Sequence, residues 1–286
     1  MSEPQGLPPA TAMRSAGPWP FVTFRSYVLR GRRIIWRARE HRKGLARHAR
    51  ALETAPVPLW QTPAYNWIVG LLFAIGSALF MLGAALSLVP AGPWAPAGAV
   101  VNAVFFAGSV PFTMAGYLQH FQAANTGGFA LDPAEGPHRR RVSLIGWHPH
   151  SVGWLSTFAQ FVGTIAFNFN TFDAFLAAPG WTAQDLAVWT PGMIGSALFL
   201  ISGYLAFIET SRGYWSWRPG QLAWQIVFVN LLGCIAFMAA SILAFVPEGP
   251  EPGWIPDLAN IHLFAGALCF LIGALLTMRE SPVAAS

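Results

Sequence analysis

Residues 189–209 are WTPGMIGSALFLISGYLAFIE, an apolar run whose only charged residue is Glu209, at its end. A helix needs about 20 such residues to cross the hydrocarbon core of a bilayer. Five further runs of this kind occur along the chain, so the sequence predicts six membrane-spanning helices. The six runs are residues 66–89, 95–118, 151–172, 189–209, 221–246 and 258–278.

The composition indicates the same class of protein. Of the 286 residues, 54% are hydrophobic and only 10% are charged, and the mean hydropathy is +0.46. Too few charged residues remain to cover a soluble domain, and two cysteines exclude a disulfide scaffold. We therefore expect an all-α polytopic membrane protein, in which Cys234 and Cys269 fill space as small apolar side chains, with a disulfide between them as the alternative.

The basic residues predict the orientation. All 17 Lys and Arg residues lie before the first run, in the 119–150 loop, between the fourth and fifth runs, or after the sixth. Loops rich in Lys and Arg stay in the cytoplasm, which predicts that both termini are cytoplasmic. Nucleic acid is not an expected partner, because topology already accounts for this charge. Nearly all of these residues are Arg, which favours a bacterial inner membrane.

Each run contains a Gly followed four residues later by Phe. Within successive pairs of runs the two glycines are 32, 32 and 33 residues apart, so the sequence predicts three repeats of a two-helix hairpin. Small residues let helices approach closely in lipid, and these glycines are therefore predicted to be helix-packing positions. A pore lined by Gly and Ser is the alternative. The glycines are Gly76, Gly108, Gly163, Gly195, Gly233 and Gly266.

Two of these repeats carry a family resemblance. The strings Gly195-Ser-Ala-Leu-Phe199 followed by Leu-Ile-Ser-Gly, and Gly76-Ser-Ala-Leu-Phe80 followed by Met-Leu-Gly, resemble the two-helix YrhK-like membrane domain. This resemblance covers the hairpins alone. It implies a bacterial membrane domain of unknown function and gives no catalytic residue.

The repeats divide the chain into segments. Residues 1–20 contain five prolines and are predicted to be disordered. Residues 21–62 form a basic cytoplasmic arm, in which 21–53 can be an amphipathic helix that lies on anionic lipid head groups or simply anchors the topology. The remaining segments are hairpin 1 at 63–119, a cytoplasmic loop at 120–150, hairpin 2 at 151–210, hairpin 3 at 211–279 and a cytoplasmic tail at 280–286.

Polar residues at membrane depth supply the candidate sites. Asn168, Asn230 and His262 lie within predicted spans, where they either bridge helices or mark a solute path. A second group lies at the cytoplasmic ends of spans and can hold a transition metal, with anchoring at the membrane interface as the alternative. This second group is His120, His148, His150 and Glu209.

These features favour a non-enzymatic protein. The chain has no nucleophile, phosphate-loop or metalloprotease motif, so no catalytic residue and no cofactor is expected beyond the candidate metal. The first hypothesis is a structural or interaction module that binds the lipid bilayer and another membrane protein. The alternatives are a transporter or channel for a neutral small solute, and a membrane-embedded metal or redox protein that uses the cytoplasmic His cluster.

Overall fold

The computed structural model describes residues 13–29, 31–45, 57–131, 142–176 and 180–285. Within these ranges the chain is mostly helical. Five of its helices are long and apolar enough to cross a membrane. The fold is therefore that of a helical membrane-like protein, as the sequence predicted.

Six long helices form the body of the molecule. Their ends agree with the predicted runs to within about eight residues, because Pro, Gly and polar residues interrupt the apolar pattern there. Thr62 and Ser151, for example, cap two of the helices by accepting hydrogen bonds from the backbone amides of Tyr65 and Trp154. The helices are α2 (Pro63–Ser87), α3 (Gly98–Ala124), α4 (Val152–Asp173), α5 (Trp181–Ser211, with a π-helical segment at Asp185–Trp189), α6 (Leu222–Leu243) and α7 (Trp254–Ala285).

These helices form a closed ring in chain order. Each of α2 to α7 packs against the helix before it and the helix after it, and α7 closes the ring against α2. Successive helices run in opposite directions. The N-termini of α2, α4 and α6 and the C-termini of α3, α5 and α7 therefore share one end, here called the basic end, and the opposite end is called the acidic end.

Helix α4 differs from the other five in its polarity. It is 22 residues long, which is enough to cross a membrane, but its sequence is less apolar than those of the other five. Its Ser156, Thr157 and Thr164 side chains are buried, and the half-buried Asn168 and Asn170 donate hydrogen bonds to Thr113 and to the Val188 carbonyl oxygen, so these polar groups have protein partners. Of the six predicted apolar spans, five are therefore found as helices that are long and apolar enough to cross a membrane.

The hairpin glycines lie where the two helices of each hairpin touch. A Cβ atom at Gly195 would lie 2.9 Å from the Phe167 ring and 3.1 Å from the carbonyl oxygen of Gly163. Gly76 with Gly108, and Gly233 with Gly266, face each other in the same way. Each glycine therefore leaves space for the Phe that follows the partner glycine by one helical turn.

The N-terminal arm is not a single helix. Three antiparallel strands, β1 (Arg14–Ala16), β2 (Phe24–Leu29) and β3 (Arg32–Arg37), precede a short helix, α1 (Ala38–Lys43). The prediction of an amphipathic helix over 21–53 is wrong for the described residues. The predictions of disorder and of a helix that concern residues 1–12 and 46–56 lie outside the described part of the chain.

Local sequence explains this sheet. Leu29 pairs with Arg32, so a two-residue turn joins β2 and β3, and Gly31 in that turn has a φ of +76° that favours glycine. Tyr27 and Leu29 alternate onto one face of β2 and are buried there with Ile34. The helix prediction relied on a different set of apolar residues, and two of them, Val28 and Ile35, are exposed on the sheet.

Two segment boundaries also change. Helix α3 continues past the predicted end of hairpin 1, because His120 and Gln122 are buried with partners inside the bundle. The predicted tail from residue 280 begins as the last turns of α7, and Glu280 in it is buried. Both differences have one cause: polar side chains at the basic end are enclosed by protein.

Candidate functional site: a polar cavity inside the helix ring

The centre of the ring is filled by aromatic side chains. Each long helix contributes the Phe of its Gly-x-x-x-Phe motif, and all six are at most 8% exposed. Adjacent rings meet edge to face or stacked, with centroid distances of 5.0 Å between Phe167 and Phe199 and 5.1 Å between Phe237 and Phe270. We call this group the phenylalanine cluster: Phe80, Phe112, Phe167, Phe199, Phe237 and Phe270.

A cavity of about 80 Å³ lies between the phenylalanine cluster and the basic end. Phe112, Phe199 and Phe270 form its floor. About half of the residues in its wall are polar or charged, and the rest are apolar. We call this space the inner cavity, and its polar wall residues are Asn66, Gln119, Gln122, Ser156, Thr157, Gln160, Ser202, Asn230 and Thr277.

Helix α1 closes the inner cavity at the basic end with three cationic side chains. Arg39 donates to both carboxylate oxygens of Glu280, at 2.5 and 3.0 Å, and Lys43 donates to Glu280 Oε2 at 2.8 Å. Arg42 donates from Nη2 to Glu209 Oε2 at 2.7 Å. Because Glu209 is on α5 and Glu280 is on α7, these ion pairs connect the N-terminal arm to two helices of the ring.

All five charged groups are buried. The side chains of Arg39, Arg42 and Lys43 are 5–8% exposed, and those of Glu209 and Glu280 are 2% and 10% exposed. Three cations face two carboxylates, so the group has a net charge of +1. Burial lowers the pKa of Lys43 to about 8, although Glu280 attracts the proton and opposes the shift.

Arg42 keeps unused hydrogen-bonding capacity. Its Nε and Nη1 atoms are buried and have no hydrogen-bond partner, while only Nη2 reaches Glu209. A Cβ atom at Gly153, in the first turn of α4, would lie 2.8 Å from Arg42 Nε. Glu209 Oε1 would be closer still, so a glycine at this position lets the Arg42–Glu209 ion pair lie against the N-terminus of α4.

The structure does not bring the four predicted metal ligands together. His120 Nδ1 lies 3.2 Å from Thr157 Oγ1, His148 Nε2 lies 3.1 Å from the Ala124 carbonyl oxygen, and Glu209 pairs with Arg42. His150 shares a surface pocket with His148 and Glu209. In the described ranges, no group of three or more His, Cys, Asp or Glu residues is placed to hold a metal ion.

One of the three predicted solute-path residues lines the inner cavity. Asn230 is in its wall. Asn168 instead donates to Thr113 Oγ1 at 3.0 Å and so bridges α4 to α3, while His262 Nδ1 lies 2.8 Å from the Leu258 carbonyl oxygen of its own helix. These two side chains are therefore placed as structural groups.

The cysteines are not joined. Cys234 and Cys269 are both free, and Cys234 is buried. Cys234 packs on the α-carbon of Gly203, where an added Cβ would lie 2.7 Å from its sulfur. The expectation of small apolar fillers describes this position.

Sequence reasoning missed the cationic side chains of α1. Arg39, Arg42 and Lys43 were counted only as topology determinants, although their spacing of three and four residues places them on one face of a helix. A second missed signal is a pair of Trp residues, seven residues apart, near the start of the first helix of each hairpin. These pairs are Trp60 with Trp67, Trp147 with Trp154 and Trp217 with Trp224.

The paired tryptophans explain why two interfacial indoles are buried. Trp147 and Trp217 cover Trp154 and Trp224, with ring centroids 5.4 and 5.0 Å apart. Trp154 and Trp224 also donate to nearby backbone carbonyl groups and are at most 3% exposed. Trp147 and Trp217 themselves are 75% and 64% exposed, and each presents the ring that an interfacial position favours.

Comparisons with protein-family models, with curated proteins and with solved structures give no match to this chain. The resemblance to the YrhK-like domain therefore stays a prediction.

Proposed function

We propose that the protein is a non-enzymatic multi-pass membrane protein that binds a small polar solute in the inner cavity and passes it through the ring of helices α2 to α7. The inner cavity is the observation that carries this proposal. Polar and charged groups are costly at membrane depth, so a space lined by amides, hydroxyls and ion pairs favours a solute over simple packing.

The phenylalanine cluster is the gate in this proposal. It separates the inner cavity from a wider pocket of about 450 Å³ at the acidic end, whose wall includes Asp173 and Glu251. Phe167 lines that pocket, whereas Phe199 lines the inner cavity, and their ring centroids are 5.0 Å apart. Movement of these two rings would join the two spaces.

The location completes the proposal. We place all six long helices across a bacterial inner membrane, with the basic end and both termini in the cytoplasm, because the segments that join the helices at the acidic end contain no Lys or Arg. The exposed Trp147 and Trp217 rings then lie at the cytoplasmic interface. Exposed Arg32 and Arg33 on the sheet suit anionic lipid head groups.

A structural or interaction module is the second candidate. The observation that favours it is the close packing of paired glycines and the phenylalanine cluster, which leaves no open passage between the two ends. A metal or redox role receives no support from the positions of His120, His148 and His150. It is therefore not proposed.

Osmotic swelling of proteoliposomes tests the choice. The swelling rate is followed by light scattering in separate experiments with urea, glycerol, potassium acetate and potassium phosphate. We expect Phe199→Ala to accelerate swelling for at least one solute, because the floor of the inner cavity opens. Adding Ser202→Trp, which fills the cavity, should return the rate to that of protein-free vesicles.

Phe169→Ala is the matched control. Phe169 lies on α4, the helix that precedes that of Phe199, but its side chain is 59% exposed on the outer surface, so its truncation leaves the gate intact. If Phe199→Ala remains folded and its vesicles swell no faster than those with Phe169→Ala, the structural module becomes the better assignment.

A further inference from the structure

The inner cavity contains more positive than negative charge. Arg39, Arg42 and Lys43 face Glu209 and Glu280, and the other nearby acid, Glu40, is paired with Arg37 on the outside of α1. Removing an uncompensated charge from water is costly in a protein interior. A buried group with a net charge of +1 therefore favours a bound counter-ion.

Free donors are present beside that charge. Arg42 Nε and Nη1 have no protein partner, and the Lys43 ammonium has three hydrogens, of which the contact with Glu280 uses one. Both side chains line the inner cavity. Guanidinium and ammonium groups donate their strongest hydrogen bonds to anionic oxygens.

The surrounding helices add to this preference. Helices α2, α4 and α6 all begin at the basic end, and a helix N-terminus carries a partial positive charge. Arg42 lies against the first turn of α4, as the position of Gly153 shows. No Asp or Glu other than Glu209 lines the described wall of the inner cavity.

The volume limits the size of the ligand. About 10–15 Å³ of such space suffices for one water molecule, so about 80 Å³ accommodates one small anion with a few waters. A nucleotide or a lipid head group with its glycerol is too large for this space.

We propose that the inner cavity binds one small anion, of the size of phosphate, sulfate or a short carboxylate, through Arg42 and Lys43. This inference rests on the proposed solute-binding function and names the charge class of the solute. It replaces the neutral solute that the sequence suggested, because the sequence did not reveal that α1 contributes cations to the cavity.

Thermal unfolding of the purified full-length protein in detergent tests the inference. Potassium phosphate, sulfate, acetate and chloride are titrated separately into a gluconate buffer. We expect at least one of these anions to raise the unfolding temperature with saturation, as a ligand that binds only the folded state does. The inference is overturned if all four leave the unfolding temperature at its value in gluconate.

Two variants locate the site. Arg42→Gln with Glu209→Gln removes one ion pair without changing the net charge, and Lys43→Met removes the excess charge while the Arg39–Glu280 pair remains. Both should weaken anion affinity at least about tenfold, whereas Arg37→Gln, which removes the partly exposed pair with Glu40 outside the cavity, should not. Equal affinity in all folded variants would overturn the assignment to the inner cavity.

The swelling assay separates the two proposals. If anions bind but no solute enters vesicles that contain the Phe199→Ala variant, the anion site is supported and the transport function is contradicted. Flux of urea or glycerol without any anion effect on unfolding supports the transport function and overturns the anion site.

Discussion

Gly163 is a residue where a single methyl group should be costly. A Cβ atom there would lie 2.8 Å from the Phe199 ring and 3.1 Å from the Gly195 carbonyl oxygen. Displacing the ring would disturb its contacts with Phe112, Phe237 and Phe270. Close packing of this kind explains why the glycine lies on the inner face of its hairpin.

We therefore expect Gly163→Ala to lower the free energy of unfolding by about 1–3 kcal/mol, the usual cost of overpacking. Thermal unfolding in detergent measures it. Gly98→Ala is the control, because nothing lies within 4 Å of a Cβ atom there and the change sits in the first turn of α3. Equal loss in both variants would show that helix packing at Gly163 is not the cause.

Lys43 should make stability depend on pH. Its pKa is about 8 in the folded protein, because burial outweighs the attraction of Glu280 and because Arg39 and Arg42 repel its charge. In the unfolded chain it is near 10.5. Between these two values the unfolded chain binds the proton that the folded protein has lost, so the Lys43 contribution to the free energy of unfolding rises with pH.

The expected result is that wild type gains stability relative to Lys43→Met when the pH is raised from about 7 to about 9.5. Unfolding temperatures of both proteins at each pH measure the difference between them. A lowered Lys43 pKa would be contradicted if the difference stayed constant, or if Lys43→Met gained stability relative to wild type as the pH rose.

At the scale of the element, α1 depends on its ion pairs. It is only six residues long and is too short to be stable alone. Glu280 accepts hydrogen bonds from both Arg39 and Lys43, so its neutralisation leaves two cations without a carboxylate. Losing one partner of a buried pair costs about 3–5 kcal/mol, and α1 can avoid that cost by leaving the bundle.

We expect Glu280→Gln to accelerate amide hydrogen exchange in Ala38–Lys43 while helices α2 to α6 keep their protection. Hydrogen exchange with mass spectrometry measures both regions in one experiment. Glu40→Gln is the matched control, because its pair with Arg37 is far more exposed than the Glu280 pairs and a pair near the surface contributes only about 0–1 kcal/mol. Slow exchange of α1 in Glu280→Gln would mean that other contacts hold it.

The same elements show what the sequence can predict. Runs of apolar residues predicted the six long helices, and the Gly and Phe spacing indicated which helix faces meet, because both are local properties of one chain segment. The docking of α1 depends on Arg39 and Glu280, which are 241 residues apart. Nothing local to either residue indicates that pairing, so the inner cavity and its charge could not be predicted.

In the membrane topology that we propose for the whole molecule, the closed ring requires α4 to be one of the crossings. Helices α2 and α7 pack side by side, and Glu280 near the end of α7 meets α1 at the same end as the start of α2. Five crossings would place the ends of α7 on the wrong sides for this contact. Ser156, Thr157 and Thr164 of α4 are buried by its neighbours, and exposed apolar residues such as Phe169 would face lipid in this topology.

Cysteine labelling distinguishes six crossings from five. We expect Gly92→Cys and Gly249→Cys, each in a background with Cys234→Ala and Cys269→Ala, to react with a membrane-impermeant maleimide from the same side of intact cells. Gly220→Cys, at the basic end, is exposed and should react only in inverted membrane vesicles. If α4 did not cross, residues 92 and 249 would be labelled from opposite sides, and the closed ring of six helices would be impossible in the membrane.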